Sequence, residues 1–122
     1  MGKGLSAMVL ALLLAGCSTL PTTVESVTWD VLNNYHQPVL LEFYSQDRNA
    51  AWPGGGSAYV LEPGEQRQYS LSCRSTEQIC YGAWLRNEPD WYWGTGLDDA
   101  HDCSQCCMTC AEGKQLNITL SH

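Results

Sequence analysis

Apolar residues recur at every second position in five separate stretches of this chain, and that period limits its fold more than any other feature. Val27, Trp29 and Val31 alternate with Thr28 and Asp30. Val39, Leu41 and Phe43 do the same, with Glu42 and Tyr44 opposite. Tyr69, Leu71 and Cys73 alternate with Gln68, Ser70 and Ser72, and the pattern returns at Ile79, Tyr81, Ala83 and Leu85 and at Leu116, Ile118 and Leu120. Successive side chains of a strand point to opposite faces, so each run reads as a half-buried strand. Turn formers separate the runs: Asn33-Asn34, Pro53-Gly54-Gly55-Gly56, Pro63-Gly64, Asn87-Glu88-Pro89-Asp90 and Gly94-Thr95-Gly96. No long stretch carries a helical period. Short strands at regular spacing predict an all-β chain, a small antiparallel β-sandwich or barrel.

A different pattern precedes the strands. Lys3 is followed by an apolar run, Leu5 to Ala15, that ends in small residues. At roughly eleven residues it is too short for the ~20 that span a bilayer, and it reads as a secretory signal. Its end, Leu14-Ala15-Gly16-Cys17, closely resembles the lipobox of bacterial lipoproteins. The resemblance implies cleavage before Cys17, a diacylglyceryl group on its thiol, and often acylation of the freed amine. Several chains at about 0.8 kcal/mol per buried methylene anchor a protein far more firmly than one. In that family Ser18, rather than Asp, points to the outer membrane. The expected organisation is a signal peptide over residues 1–16, a lipidated tether over 17–23, and a β-sandwich over 24–122 with a cysteine-rich loop at 98–113. The polar tether Ser18-Thr19-Leu20-Pro21-Thr22-Thr23 reaches only ~15 Å, which holds the domain beside the membrane.

Composition excludes some partners. A formal net charge of −7, with no basic stripe, makes nucleic acid an unfit partner. Anionic head groups would repel the chain as well, so the lipid and not electrostatics would hold it at a membrane. Five tryptophans and six tyrosines belong to a folded domain and not to a disordered tail. The segment Val60-Leu61-Glu62-Pro63-Gly64-Glu65 is similar to a hairpin of immunoglobulin-like exported domains, which implies an immunoglobulin-like sandwich.

The chain has seven cysteines, and assigning Cys17 to lipid leaves an even set: Cys73, Cys80, Cys103, Cys106, Cys107 and Cys110. In an oxidising envelope these predict structural disulfides that staple a small domain. Adjacent Cys106 and Cys107 are poor partners for one another on geometric grounds. Cys73 and Cys80 each could join the CxxCCxxC cluster or pair together, so connectivity stays open. One alternative is a zinc site built from Cys103, Cys106, Cys107 and Cys110, with His101 close by and Cys73 and Cys80 as a possible second half. Another is thiol–disulfide exchange at one CxxC, which the acidic run Asp98-Asp99-Ala100-His101-Asp102 disfavours by raising thiol pKa.

Trp91-Tyr92-Trp93 is the most prominent feature apart from the cysteines. Either Trp91 and Trp93 point inward from one strand face with Tyr92 outward, the preferred reading, or all three form an exposed aromatic loop able to stack on a glycan or fill a pocket on a protein. Trp52, with Arg48, Asn49 and Gly54–Gly56, marks a second loop of that kind. Asp98, Asp99 and Asp102 lack the ligand spacing of a calcium loop. His36 and His101 sit in no nucleophile motif, and no GxSxG, HExxH or P-loop occurs. Asn117-Ile118-Thr119 matches a glycosylation sequon, an accidental match behind a bacterial-type leader. The segment Ile79-Cys80-Tyr81-Gly82-Ala83-Trp84, together with the cysteine cluster, is similar to small exported cysteine-rich bacterial proteins, a likeness that implies no activity. The resulting expectation is a membrane-anchored, non-enzymatic module of the cell envelope without a cofactor. Its partner would be an envelope protein or a glycan, met through Trp52 or Trp91, Tyr92 and Trp93.

Overall fold

A computed structural model describes residues 23–122; the apolar leader, Cys17 and the tether as far as Thr22 lie outside the described residues. The described residues form strands β1 (Val24–Asn33), β2 (Val39–Ser45), β3 (Ala51–Trp52), β4 (Tyr59–Leu61) and β5 (Gln66–Arg74). They continue with β6 (Gln78–Leu85), β7 (Glu88–Gly94), β8 (Cys107–Thr109) and β9 (Gln115–Leu120). A 3₁₀ turn, Leu97–Asp99, lies between β7 and β8.

Two sheets result. The smaller runs β5-β1-β9. In the larger, β2 and β6 lie at the centre; β3 and β4 share the far side of β2, while β7 and β8 share the far side of β6. Every pairing is antiparallel except β1 with β9, which is parallel. The alternation dictates which faces meet. Val27, Trp29 and Val31 of β1 and Tyr69, Leu71 and Cys73 of β5 pack against Val39, Leu41 and Phe43 of β2 and Ile79, Ala83 and Leu85 of β6, all buried. Trp29 and Phe43 meet across the interior at 5.1 Å between ring centroids. The described residues form an all-β sandwich, as the alternation implies, and three disulfides staple it.

The Val60–Glu65 segment departs from a hairpin. β4 pairs with β2 and β5 pairs with β1, so the Pro63-Gly64 turn carries the chain from one sheet to the other. Asn33 secures that crossing from inside the core. Its Nδ2 donates to the carbonyls of Leu61 and Gln37, each at 2.9 Å, and its Oδ1 accepts from the Tyr35 amide.

The six cysteines beyond the leader form three disulfides, Cys73–Cys110, Cys80–Cys107 and Cys103–Cys106. Each strand cysteine therefore joins the cluster, and the neighbours Cys106 and Cys107 turn to different partners. Cys73–Cys110 is buried and links β5 of the small sheet to the end of β8 on the large one, an inter-sheet staple of the immunoglobulin-like kind. Cys80–Cys107 fastens β6 to β8 at directly opposed positions.

Candidate functional site

The outer face of the large sheet is covered, and what covers it is the stretch between β7 and β8. Leu40, Glu42 and Tyr44 of β2 face outward beside Gly82 and Trp84 of β6. Glu42, Tyr44 and Trp84 are nonetheless buried. The chain from Thr95 to Asp99 passes directly over Gly82, where a Cβ would lie 2.1 Å from the Gly96 carbonyl oxygen. Tyr44 pins it: its single hydroxyl proton is shared between the Gly96 carbonyl at 3.1 Å and Glu42 Oε1 at 3.2 Å, and its oxygen accepts from the Asp98 amide at 3.0 Å. Thr95 is tied at its amide and hydroxyl to the Tyr81 carbonyl, and the Gln46 amide group donates to Asp99 Oδ2 at 2.9 Å.

This crossing splits the surface into two cavities. One, of about 400 Å³, lies between the 3₁₀ turn and the Gly54–Gly56 turn, with Glu42, Tyr44, Arg48 and Asp98 in its walls. Glu42 is 9% exposed. Burial pushes its carboxyl above the ordinary range, a hydrogen bond from Tyr44 pulls partly against that, and the charge of Asp98 adds a smaller upward push. Burial likewise raises the Tyr44 hydroxyl, reinforced by the adjacent Glu42. The other cavity, of about 470 Å³, is walled by Gln46, Thr95, Asp99, His101, Cys103 and Cys107 among others.

The predicted site residues are dispersed. Cys103, Cys106, Cys107 and Cys110 do not share one centre; their sulfurs go to three different bridges, and in this oxidised chain none is a thiolate. His101 stacks on Tyr92, with centroids 3.9 Å apart and planes within 6°. Among the described residues no group of three or more His, Cys, Asp or Glu side chains is placed to hold a metal ion. Trp52 is half-buried against the core, and the Arg48 guanidinium lies over its ring at 5.7 Å.

The aromatic triplet is divided. Trp93, opposite Ala83, packs against the core from the sheet edge and donates its indole N–H to the Ser121 carbonyl at 3.0 Å. Trp91, which the alternation places inward, is 37% exposed. The cause is a register shift: β7 pairs Tyr92 with Trp84 but Glu88 with Leu85, which leaves Pro89, Asp90 and Trp91 unmatched and bulged outward. Trp91 then lies against His122 and Tyr35, at 4.5 and 6.0 Å between centroids, and Tyr35 also meets His36 and Trp93. Tyr92, on the opposite face, is 38% exposed.

Sequence reasoning did not select Glu42, Tyr44, Tyr35 or His122. The one local signal for the first two is Gly82, a glycine inside an apolar strand, the mark of a close backbone approach. No protein-family profile, curated protein or solved structure matches the chain.

Proposed function

We propose that this chain is a lipid-anchored binding module of the bacterial cell envelope that engages a neighbouring envelope protein or glycan through the aromatic surface around Trp91. One observation carries the reading. The bulge in β7 lifts Trp91 out of the core onto a surface shared with Tyr35, His36 and His122, backed by a disulfide-stapled sandwich. Rigid aromatic faces give contact area at little entropic cost, which suits both sugar rings and protein pockets. The three disulfides fit an oxidising compartment, and Leu14-Ala15-Gly16-Cys17 supplies the address and the anchor.

Two measurements test it. Mass spectrometry of the mature N-terminal peptide is expected to find a diacylglyceryl group on Cys17; a bare thiol there defeats the lipoprotein reading. A photo-crosslinking amino acid at position 91, in whole cells, is expected to capture one dominant envelope partner, absent when the crosslinker stands at Asn117 on β9. Equal, diffuse labelling from both positions defeats the binding surface. The zinc alternative requires the reduced cluster, so stoichiometric zinc in protein made in the periplasm would favour it.

A further inference from the structure

We propose that Tyr35, Trp91 and Trp93 form an aromatic cage for an arginine side chain of a partner protein, and that His122 occupies the cage until the partner displaces it. The inference rests on the reading of Trp91 as a binding surface and names what that surface takes.

The argument begins with what already fills the site. The His122 ring stands 4.5 Å from Trp91 and 5.9 Å from both Tyr35 and Trp93, centroid to centroid. Three rings therefore surround one point within about 6 Å, the reach at which an aromatic face attracts a cation. Tyr35 braces the two tryptophans, meeting Trp91 at 6.0 Å and Trp93 at 5.4 Å. Two features build this arrangement. The bulge in β7 turns Trp91 outward while Trp93 keeps its place opposite Ala83. The Trp93 indole then holds the Ser121 carbonyl at 3.0 Å, which brings the following residue over the rings.

The occupant is lightly held. His122 is exposed, and among the described residues no hydrogen bond fixes its imidazole. The Ser121 bond is to backbone and β9 ends at Leu120, so rotation of the His122 side chain empties the cage without unpairing the sheet.

The seated ring shows the chemistry the cage accepts: planar, and of a kind that can carry positive charge. A guanidinium shares both properties, stacks on aromatic faces and is weakly hydrated, so it loses little on entering. The rim favours it further. Glu88 and Asp90, both exposed, precede Trp91 on the same strand, in a chain of net charge −7. Arg86, the nearest basic residue in sequence, lines a separate cavity with Gln37, Pro38 and Leu40. Such a rim draws in a cationic segment and offers a neutral sugar ring no advantage, which favours a protein over a glycan.

An NMR titration of the full chain, read at the Trp91 and Trp93 indole N–H groups, tests this with a short glycine–serine peptide carrying one central arginine. Saturable binding is expected, weakened roughly tenfold when citrulline, planar but uncharged, replaces the arginine. His122→Ala gives the deciding sign. Emptying the cage should tighten the peptide about threefold, whereas a His122 that only completes the wall would weaken it on removal. Trp91→Ala should abolish the response at Trp93, and Asn117→Ala, exposed on β9, should leave affinity unchanged. No saturable binding of the peptide, equal binding of the citrulline form, or weaker or unchanged binding by His122→Ala overturns the inference. Tighter binding of choline than of the peptide overturns it in favour of a lipid head group. Tighter binding of a trisaccharide of N-acetylglucosamine overturns it in favour of a glycan. After any of these results, capture of one dominant partner by the crosslinker at position 91 leaves the Trp91 reading standing; diffuse labelling there removes both.

Discussion

Arg48 and Glu77 form a two-point ion pair, Nε to Oε2 at 2.5 Å and Nη2 to Oε1 at 3.1 Å, that joins the loop after β2 to the turn between β5 and β6. Ser45 Oγ and the Arg74 amide donate to the same carboxylate, so Glu77 is buried with both of its oxygens bonded. Burial pushes its carboxyl up, but the hydrogen bonds from Arg48, Ser45 and the Arg74 backbone, with the charge of Arg48, outweigh that and hold it at about 2.

That depression makes a pH signature. A carboxyl held below its ordinary 4.5 contributes stability that is fully present above that value and is lost as pH falls from there towards about 2. Glu77→Gln removes the charge and weakens each hydrogen bond, at a cost of about 2–3 kcal/mol near neutrality. Thermal melts across pH are expected to show the wild-type and variant curves converging between pH 4.5 and 2. A constant gap down to pH 2 would contradict the assignment.

The disulfides give an ordered series of costs. Cys73–Cys110 spans 37 residues and Cys103–Cys106 only 3. By the loop-entropy relation the first contributes about 4 kcal/mol and the last about 2. Paired Cys→Ser variants should therefore rank in that order by chemical denaturation, with Cys73 and Cys110 losing more because two hydroxyls are buried in their place. Thiol titration under denaturing, non-reducing conditions should find none free among the six. Four or more free thiols would refute the pairing.

How much of this was legible in the chain follows from what alternation encodes. Val27, Trp29, Val31, Leu41, Phe43, Leu71 and Ala83 all face the core, because a one-residue slip would turn each set to solvent. The cysteines beyond the leader were legible as staples but not as pairs, since pairing depends on how β5, β6 and β8 come together. Alternation fell short in two places, for different reasons. It records whether a face is apolar and says nothing of what later chain covers it. Glu42 and Tyr44 read as outward residues, and they are, but the Thr95–Asp99 crossing buries them. Trp91 read as inward until the bulge at Pro89–Trp91 shifted it.

Trp91 and Trp93 therefore separate experimentally. Trp93→Ala removes an indole packed on the core and its bond to Ser121, and should cost about 2–3 kcal/mol. Trp91→Ala should stay within about 1 kcal/mol of wild type, because an exposed ring leaves no cavity behind. Equal losses in urea denaturation would return Trp91 to the core and remove the basis for a binding surface there.

Gly82 offers the sharpest test of the crossing that builds both cavities. Its need for glycine is steric and not conformational, because a Cβ there would meet the Gly96 carbonyl oxygen at 2.1 Å and the Tyr44 ring at 2.9 Å. The carbonyl is backbone and cannot rotate away, so the Thr95–Asp99 segment must lift. With it go the Tyr44 bonds to Gly96 and Asp98 that hold the segment down. Gly82→Ala is expected to destabilise by about 2–3 kcal/mol and to speed amide hydrogen exchange at Asp98. Gly113→Ala is the matched control: its Cβ meets nothing within 4 Å, and only its φ of 76° is unfavourable, a strain of about 1 kcal/mol. If Gly82→Ala proved as mild as Gly113→Ala, with Asp98 protection unchanged, the segment would not be seated on β6 and neither cavity would exist as described.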